Sequence, residues 1–328
     1  MDQIIINFLS KLELGELQAF RNMAIIPLFN SVNHVPQYLS LGEAMGKGFL
    51  TVTEVSQGGA VPELKVTNIT SLPVLLLDGE ELAGAKQNRV LNTTILLMEN
   101  SETIIPVSCT EHGRWDYATP VFAESGNIMS HNLRAKKASS VHQTLKEGMS
   151  YRGNQGEVWD GIHNLSVEAK VNSRTAAMKD VFEDKKKDLD GHLKAFQYVP
   201  HQKGILVMMN GRVIGLDILS LESVYEALHP KLVKSYAMDA LLQQKREKVD
   251  NGSAEKARMF IEQSRQCKEE KFKSVGHGWD HRFEGSTIVG SALVHQEKVI
   301  HMALFGITES EKVGKMSSAS RRRTFRSQ

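Results

Sequence analysis

The sequence predicts an α+β fold with a β-rich N-terminal half of mostly antiparallel strands, a central helical segment, and C-terminal hairpins and helices packed into one globular unit. Three observations carry this expectation. Short runs of Val, Ile, Leu and Thr, separated by Gly, Pro, Asn and Ser, crowd residues 20–120. Between Asn132 and Lys194 charged residues and Ala dominate, and apolar residues recur at spacings of three and four, which is the helical period. No strand–helix alternation and no long internal repeat is visible, which argues against a Rossmann or barrel fold.

The elements follow in order. Ser40 with Glu43 makes a capping box, Leu39 and Ala44 a hydrophobic staple, and Gly46 or Gly48 a stop, so a short helix is predicted over 41–46. Strands are predicted at 49–55, 62–69, 73–77, 91–98 and 103–109, with turns at Asp78-Gly79 and Glu99-Asn100-Ser101. After the helical region of 130–198 comes GILVMMNGRVIGLDILS, two apolar runs joined by Asn210-Gly211, the strongest hairpin signal in the chain. Leu221, Val224, Tyr225 and Leu228 share one helix face; Pro230 should interrupt it, and Leu232, Tyr236 and Leu242 should lead a second helix to about Lys248. Another helix is expected after Ser253. The last hairpin, STIVGSALVHQEKVIHMALF, turns at Gln296-Glu297, pairing His295 with Lys298 and His301 with Ala292.

Composition narrows the function. With 328 residues and 41% hydrophobic content the chain can bury one large core or two modest ones, and we expect a single unit over 1–307. Two cysteines, Cys109 and Cys267, are too few for a disulfide framework and lack zinc-site spacing, which fits a reducing cytoplasm. The opening MDQIIINFLSKLELGE has no basic leader, and no later run is long and apolar enough for a membrane span. Forty Lys plus Arg balance 38 Asp plus Glu, so overall charge advertises neither nucleic acid nor membrane as partner. Only 308–328, which ends on Arg321, Arg322, Arg323 and Arg326, is skewed; it reads as a disordered basic tail and the one place for a nucleic-acid contact. Phosphate-cradling loops, nucleophile elbows, zinc-protease motifs and calcium loops are all missing from the sequence. The sequence assigns no cofactor and no oligomeric state.

Two polar constellations stand beside core-like runs. In the first, Glu80 and Glu81 should emerge on opposite faces of the strand after Asp78-Gly79. Lys86 and Arg89 would share a face as an anion clamp if 86–89 is a helical turn, and would separate if it is extended; Gln87 and Asn88 add neutral donors and acceptors. In the second, Cys109, Glu111, His112, Arg114 and Trp115 follow the run IIPVS. Glu80 and Glu111 are candidate general bases and Cys109 a candidate nucleophile, set against a buried thiol and a Glu111 salt bridge to Arg89 or Arg114 as the structural alternatives. His277, Asp280 and Arg282 are candidates for a pocket rim. His277, His281, His295 and His301 lack the spacing to converge, so no metal site is assigned.

The blocks LDGEELAGAKQNR, IPVSCTEHGRW, GILVMMNGRVIGLDI, HGWDHRFEG and VIHMALF resemble those of the ARG and rhodanese-phosphatase-superfamily-associated protein domain family, ARG standing for ADP-ribosylglycohydrolase. The resemblance spans Ala24 to Phe305. It places Glu80, Lys86, Gln87, Asn88, Arg89, Cys109, Glu111, Gly113, Arg114 and Trp115 at motif positions, whereas His112 stands where a longer polar residue such as Gln is expected. The family name records genomic association, and it implies a link to ADP-ribose, NAD-derived or other phosphorylated metabolites. The combined expectation is a polar pocket for a phosphorylated small molecule, built from 78–89 and 109–115 and closed by 277–282, in either a hydrolase or transferase or a binding protein. A structural or protein-interaction module is the alternative.

Overall fold

A computed structural model describes residues 1–31, 35–56, 58–243 and 252–308. Its eight helices and eighteen strands form a mixed α+β architecture in which all neighbouring strands but one pair run antiparallel. The largest sheet, of nine strands, is built from both ends of the sequence. Its order runs Leu12–Leu14, Met23–Asn30, Gly204–Met209, Arg212–Leu219, Lys298–Gly306, Ile288–His295, Trp279–Glu284 and Lys268–Lys273, with Gln18–Phe20 also paired to Met23–Asn30.

Helices cover both faces of this sheet, which explains why its central strands read as nearly unbroken apolar runs. Ile25, Ile205 and Val207 pack with Ile162 and Leu165 of helix Gln155–Ala169 and with Leu228 and Leu232 of helix Glu222–Leu242. Ile26, Leu206 and Met208 face the other way, onto Ile5 and Phe8 of helix Gln3–Ser10 and Phe260 of helix Ser253–Ser264. Asn210 and Gly211 both take positive φ, 49° and 71°, as the tight turn of a two-residue hairpin demands.

The middle of the front half supplies a six-stranded sheet in the order Phe122–Ile128, Glu80–Gly84, Arg89–Leu91, Ser101–Cys109, Glu63–Asn68 and Leu50–Glu54. Beside it, Ile95–Leu97, Val74–Leu76 and Leu39–Ser40 form a three-stranded sheet. The helix expected at 41–46 spans Leu41–Gly46, with Ser40 Oγ accepting from the Glu43 N–H at 3.2 Å.

Three expectations are corrected. Helix Glu222–Leu242 runs unbroken through Pro230, because Leu228, Leu232, Val233 and Tyr236 on either side are all locked in the core; what lies between 244 and 248 is outside the described residues. His301 pairs with Leu293 rather than Ala292, since Ile300 is left over as a bulge residue between the pairs Leu293↔His301 and Val294↔Val299; His295 does face Lys298. The strand expected over 91–98 is two strands in two sheets. The chain bends between them because Asn92, Thr93 and Thr94 turn their side chains to Tyr151 O, Asp280 and Asp78 N. The basic stretch from 309 onward lies outside the described residues. Among the described residues no helix is long and apolar enough to cross a membrane.

Candidate functional site

Most of the residues singled out by sequence fall into two polar groups. The first sits on the hairpin of Glu80–Gly84 and Arg89–Leu91, whose turn places Ala85 at φ 40°. Asn88 Oδ1 accepts the Gly84 N–H at 3.1 Å and fixes that turn. The segment is therefore a tight turn rather than a helical one.

Arg89 then enters the sheet opposite Cys109 and is fully buried. Its Nη1 donates to Gln87 O at 3.1 Å and Gln87 Oε1 at 3.2 Å, and the Cys109 thiol donates to the same Gln87 Oε1 at 3.0 Å. Among the described residues its Nε and Nη2 have no hydrogen-bond partner. The Glu54 carboxylate stands 3.8 Å from Nη2, and among the described residues its own Oε2 is also without a partner. A buried guanidinium with two nitrogens unbonded is costly.

Aromatic rings form the outer wall. The Trp115 ring lies 5.7 Å from the Arg89 guanidinium and 5.4 Å from Lys86 Nζ, which is also 5.2 Å from the Tyr117 ring. Trp115 and Tyr117 remain 43% and 50% exposed. Lys86 Nζ donates to Gly58 O at 2.9 Å. Arg114 is differently placed. It makes a two-pronged pair with Glu111 at 3.0 and 2.6 Å and donates further to Ala85 O and Asp116 O, so protein acceptors already occupy its guanidinium.

Electrostatics follow from this burial. Burial pushes the Cys109 thiol up to about 11 despite Arg89 beside it, leaving almost no thiolate at neutral pH. Burial would raise Glu111 too, but the Arg114 side chain and the Asn88 N–H more than offset it and hold it below the usual carboxylate range. Burial raises Glu81 to about 7, against a hydrogen bond from Thr110 Oγ1 at 2.8 Å.

The second group lies where helix His131–Lys146 crosses beneath the turn at Asp78. Arg134 and Lys137 share one face of that helix. Lys137 Nζ donates to Asp78 Oδ1 and Leu91 O, and Arg134 grips Asp217. Gly79, at φ 86°, lets Arg134 lie against the backbone: a Cβ there would stand 3.0 Å from Arg134 Cδ. His301 bridges Asp217 Oδ1 at 3.2 Å to Thr94 Oγ1 at 2.9 Å, and Thr94 accepts from Asp78 N at 3.1 Å. Next to this, Arg282 and Thr93 share Asp280, and Arg282 also meets the Tyr151 ring. Burial lowers Lys137 against the pull of Asp78, while Arg134 holds Asp217 far below the carboxylate range in spite of burial.

Asp280 and Arg282 thus sit with Asp78, and no hydrogen bond or ion pair runs directly from them to Arg89. His277 stands elsewhere, bonded to Glu99 at 2.9 Å, with its ring tilted against that of His295 at 4.6 Å. Glu80 and Glu81 separate as strand alternation requires: Glu80 meets Lys231, which also holds Glu124, and Glu81 meets Thr110. Sequence reasoning missed Glu54, Arg134, Lys137 and Asp217. Only Asp217 carried a local signal, as the lone charge inside the apolar run GLDILS.

The sequence profile of the ARG and Rhodanese-Phosphatase-superfamily-associated Protein domain matches residues 11–305. The chain belongs to that family. Comparisons with curated proteins and with solved structures returned no match. The match of this rhodanese-phosphatase-associated domain covers both buried polar groups and strands of all three sheets.

Proposed function

We propose that the chain binds a phosphorylated small molecule at Arg89, with ADP-ribose and NAD-derived compounds as the first candidates. The observation that supports this reading is the pair of idle nitrogens, Nε and Nη2, on a guanidinium buried beneath Trp115. A planar guanidinium suits phosphate, and Lys86 adds a second cation. The exposed Trp115 and Tyr117 rings suit a stacked base. The family description, which records association with phosphatase-superfamily proteins, points the same way.

If the pocket also performs hydrolysis or group transfer, Glu54 is the better placed base, because its Oε2 is uncommitted while Glu80 and Glu111 are held by Lys231 and Arg114. Two free, buried cysteines fit a cytoplasmic site of action. The second reading, a structural module, is favoured by the complete mutual satisfaction of Glu111 and Arg114.

Thermal-shift titration of wild type and Arg89→Ala with ADP-ribose, NAD, nucleotides and phosphosugars separates the two. At a hundredfold excess over Kd, ligand adds about 2.7 kcal/mol, a shift of several degrees. A shift present in wild type and lost in Arg89→Ala supports the pocket. No shift with any ligand, joined to a large drop in the variant's own Tm, turns the reading to the structural module.

A further inference from the structure

The edge of the nine-stranded sheet gathers three metal-ligating side chains from three elements. Strand Lys268–Lys273 pairs antiparallel with Trp279–Glu284, setting Lys271 opposite His281 and Glu269 opposite Phe283. Glu269 and His281 are therefore diagonal neighbours on one face. Helix Gln3–Ser10 packs on that face through Ile5 and Phe8, which share a core with Phe283, and this brings its N-cap residue, Asp2, to the pair. One ligand atom from each of Asp2, Glu269 and His281 lies within 4.8 Å of the other two.

We propose that Asp2, Glu269 and His281 bind a divalent transition-metal ion of the zinc type. This is not a loose surface cluster, since the side chains are 28%, 10% and 0% exposed. The His281 imidazole meets Glu269 through Nδ1, and its buried Nε2 has no partner among the described residues. Glu269 Oε2 accepts the Asp2 N–H and Asp2 Oδ1 caps the helix by accepting the Ile4 N–H at 2.9 Å, while the cations beside the two carboxylates stand off: Lys271 Nζ is 3.9 Å from Asp2 Oδ2 and the Met1 amine 3.8 Å from Glu269 Oε2. An ion of charge two would neutralise both carboxylates at bonding distance.

The geometry suits that ion. Zinc holds imidazole nitrogen and carboxylate oxygen at about 2.0–2.2 Å, so neighbouring ligand atoms of a tetrahedral site stand roughly 3.4 Å apart. One imidazole and two carboxylates suit zinc or manganese, and three protein ligands leave a position for water. The bound ion would fasten the first helix to the edge strand, so binding would also appear as stability.

The full chain, stripped with chelator and then titrated with Zn2+ by calorimetry and with Co2+ by visible absorption, tests this. Asp2→Asn keeps an equally good helix cap while removing the ligand charge, and Glu269→Gln removes the second. The expected result is one ion per chain, a Tm that rises with metal, and affinity at least about tenfold weaker in each variant. Absence of binding in wild type, or unchanged affinity in either variant, overturns the proposal.

Discussion

Arg134 and Asp217 form a two-pronged ion pair from which water is excluded, with Nη1–Oδ2 at 2.9 Å, Nη2–Oδ1 at 2.7 Å and both side chains fully buried. Tyr236 donates to the same carboxylate at 2.7 Å. The pair joins a helix of the central segment to a strand of the large sheet. Breaking it strands a charge in the core. Asp217→Asn is expected to cost about 3–5 kcal/mol, read as a Tm drop of about 10 °C with the fold retained.

Arg89→Ala should be milder. Only Nη1 of Arg89 is hydrogen-bonded, so its removal forfeits fewer protein contacts than loss of Asp217 does. A cost of about 2 kcal/mol is expected in urea unfolding. A loss as large as that of Asp217→Asn would mark Arg89 as a structural residue rather than a ligand group.

Glu81 gives the chain a pH dependence of a definite sign. Its carboxyl is raised from 4.5 to about 7 by burial, so the folded state holds a proton that the unfolded state releases. The stability this contributes is complete below about pH 4.5 and is lost as pH rises toward 7. The difference amounts to about 3 kcal/mol. Glu81→Gln removes the titration, and should be the more stable protein at pH 8 and lose the slope between pH 4.5 and 7. Chemical denaturation across that range measures both.

Neither thiol should react in the folded chain. Burial raises Cys109 to about 11 and pushes Cys267 up as well. A disulfide reagent at pH 7.5 is expected to label both cysteines in denaturant and less than one per chain without it. Rapid labelling of Cys109 in the native protein would restore it as a nucleophile.

Local chemistry made part of this molecule legible in its sequence. The capped helix at Leu41–Gly46 and the Asn210-Gly211 hairpin depend on residues a few positions apart, and both stand where the sequence put them. Pro230 misled because a local rule lost to packing: the core on both sides of it outweighs one missing N–H. The polar run at 78–89 misled differently. Its residue types were readable as buried and charged, but their partners come from afar, Lys137 for Asp78, Lys231 for Glu80 and Glu54 for Arg89, through pairings no local pattern encodes. The residues of one expected pocket thereby divide into two polar groups, with Glu80 and His277 in neither.

The pairing of Met23–Asn30 with Gly204–Met209, and of Arg212–Leu219 with Lys298–Gly306, sets a timetable for folding on the ribosome. The first of these strands is synthesised long before its neighbour exists, and must wait through some 170 residues of chain with its apolar edge unpaired. At about 5–20 residues per second that wait lasts roughly 10–30 s. The intervening sheets and the local pairings with Leu12–Leu14 and Gln18–Phe20 can form meanwhile, so the nascent chain passes through a stage in which Met23–Asn30 still offers one open apolar edge to aggregation and to chaperone capture.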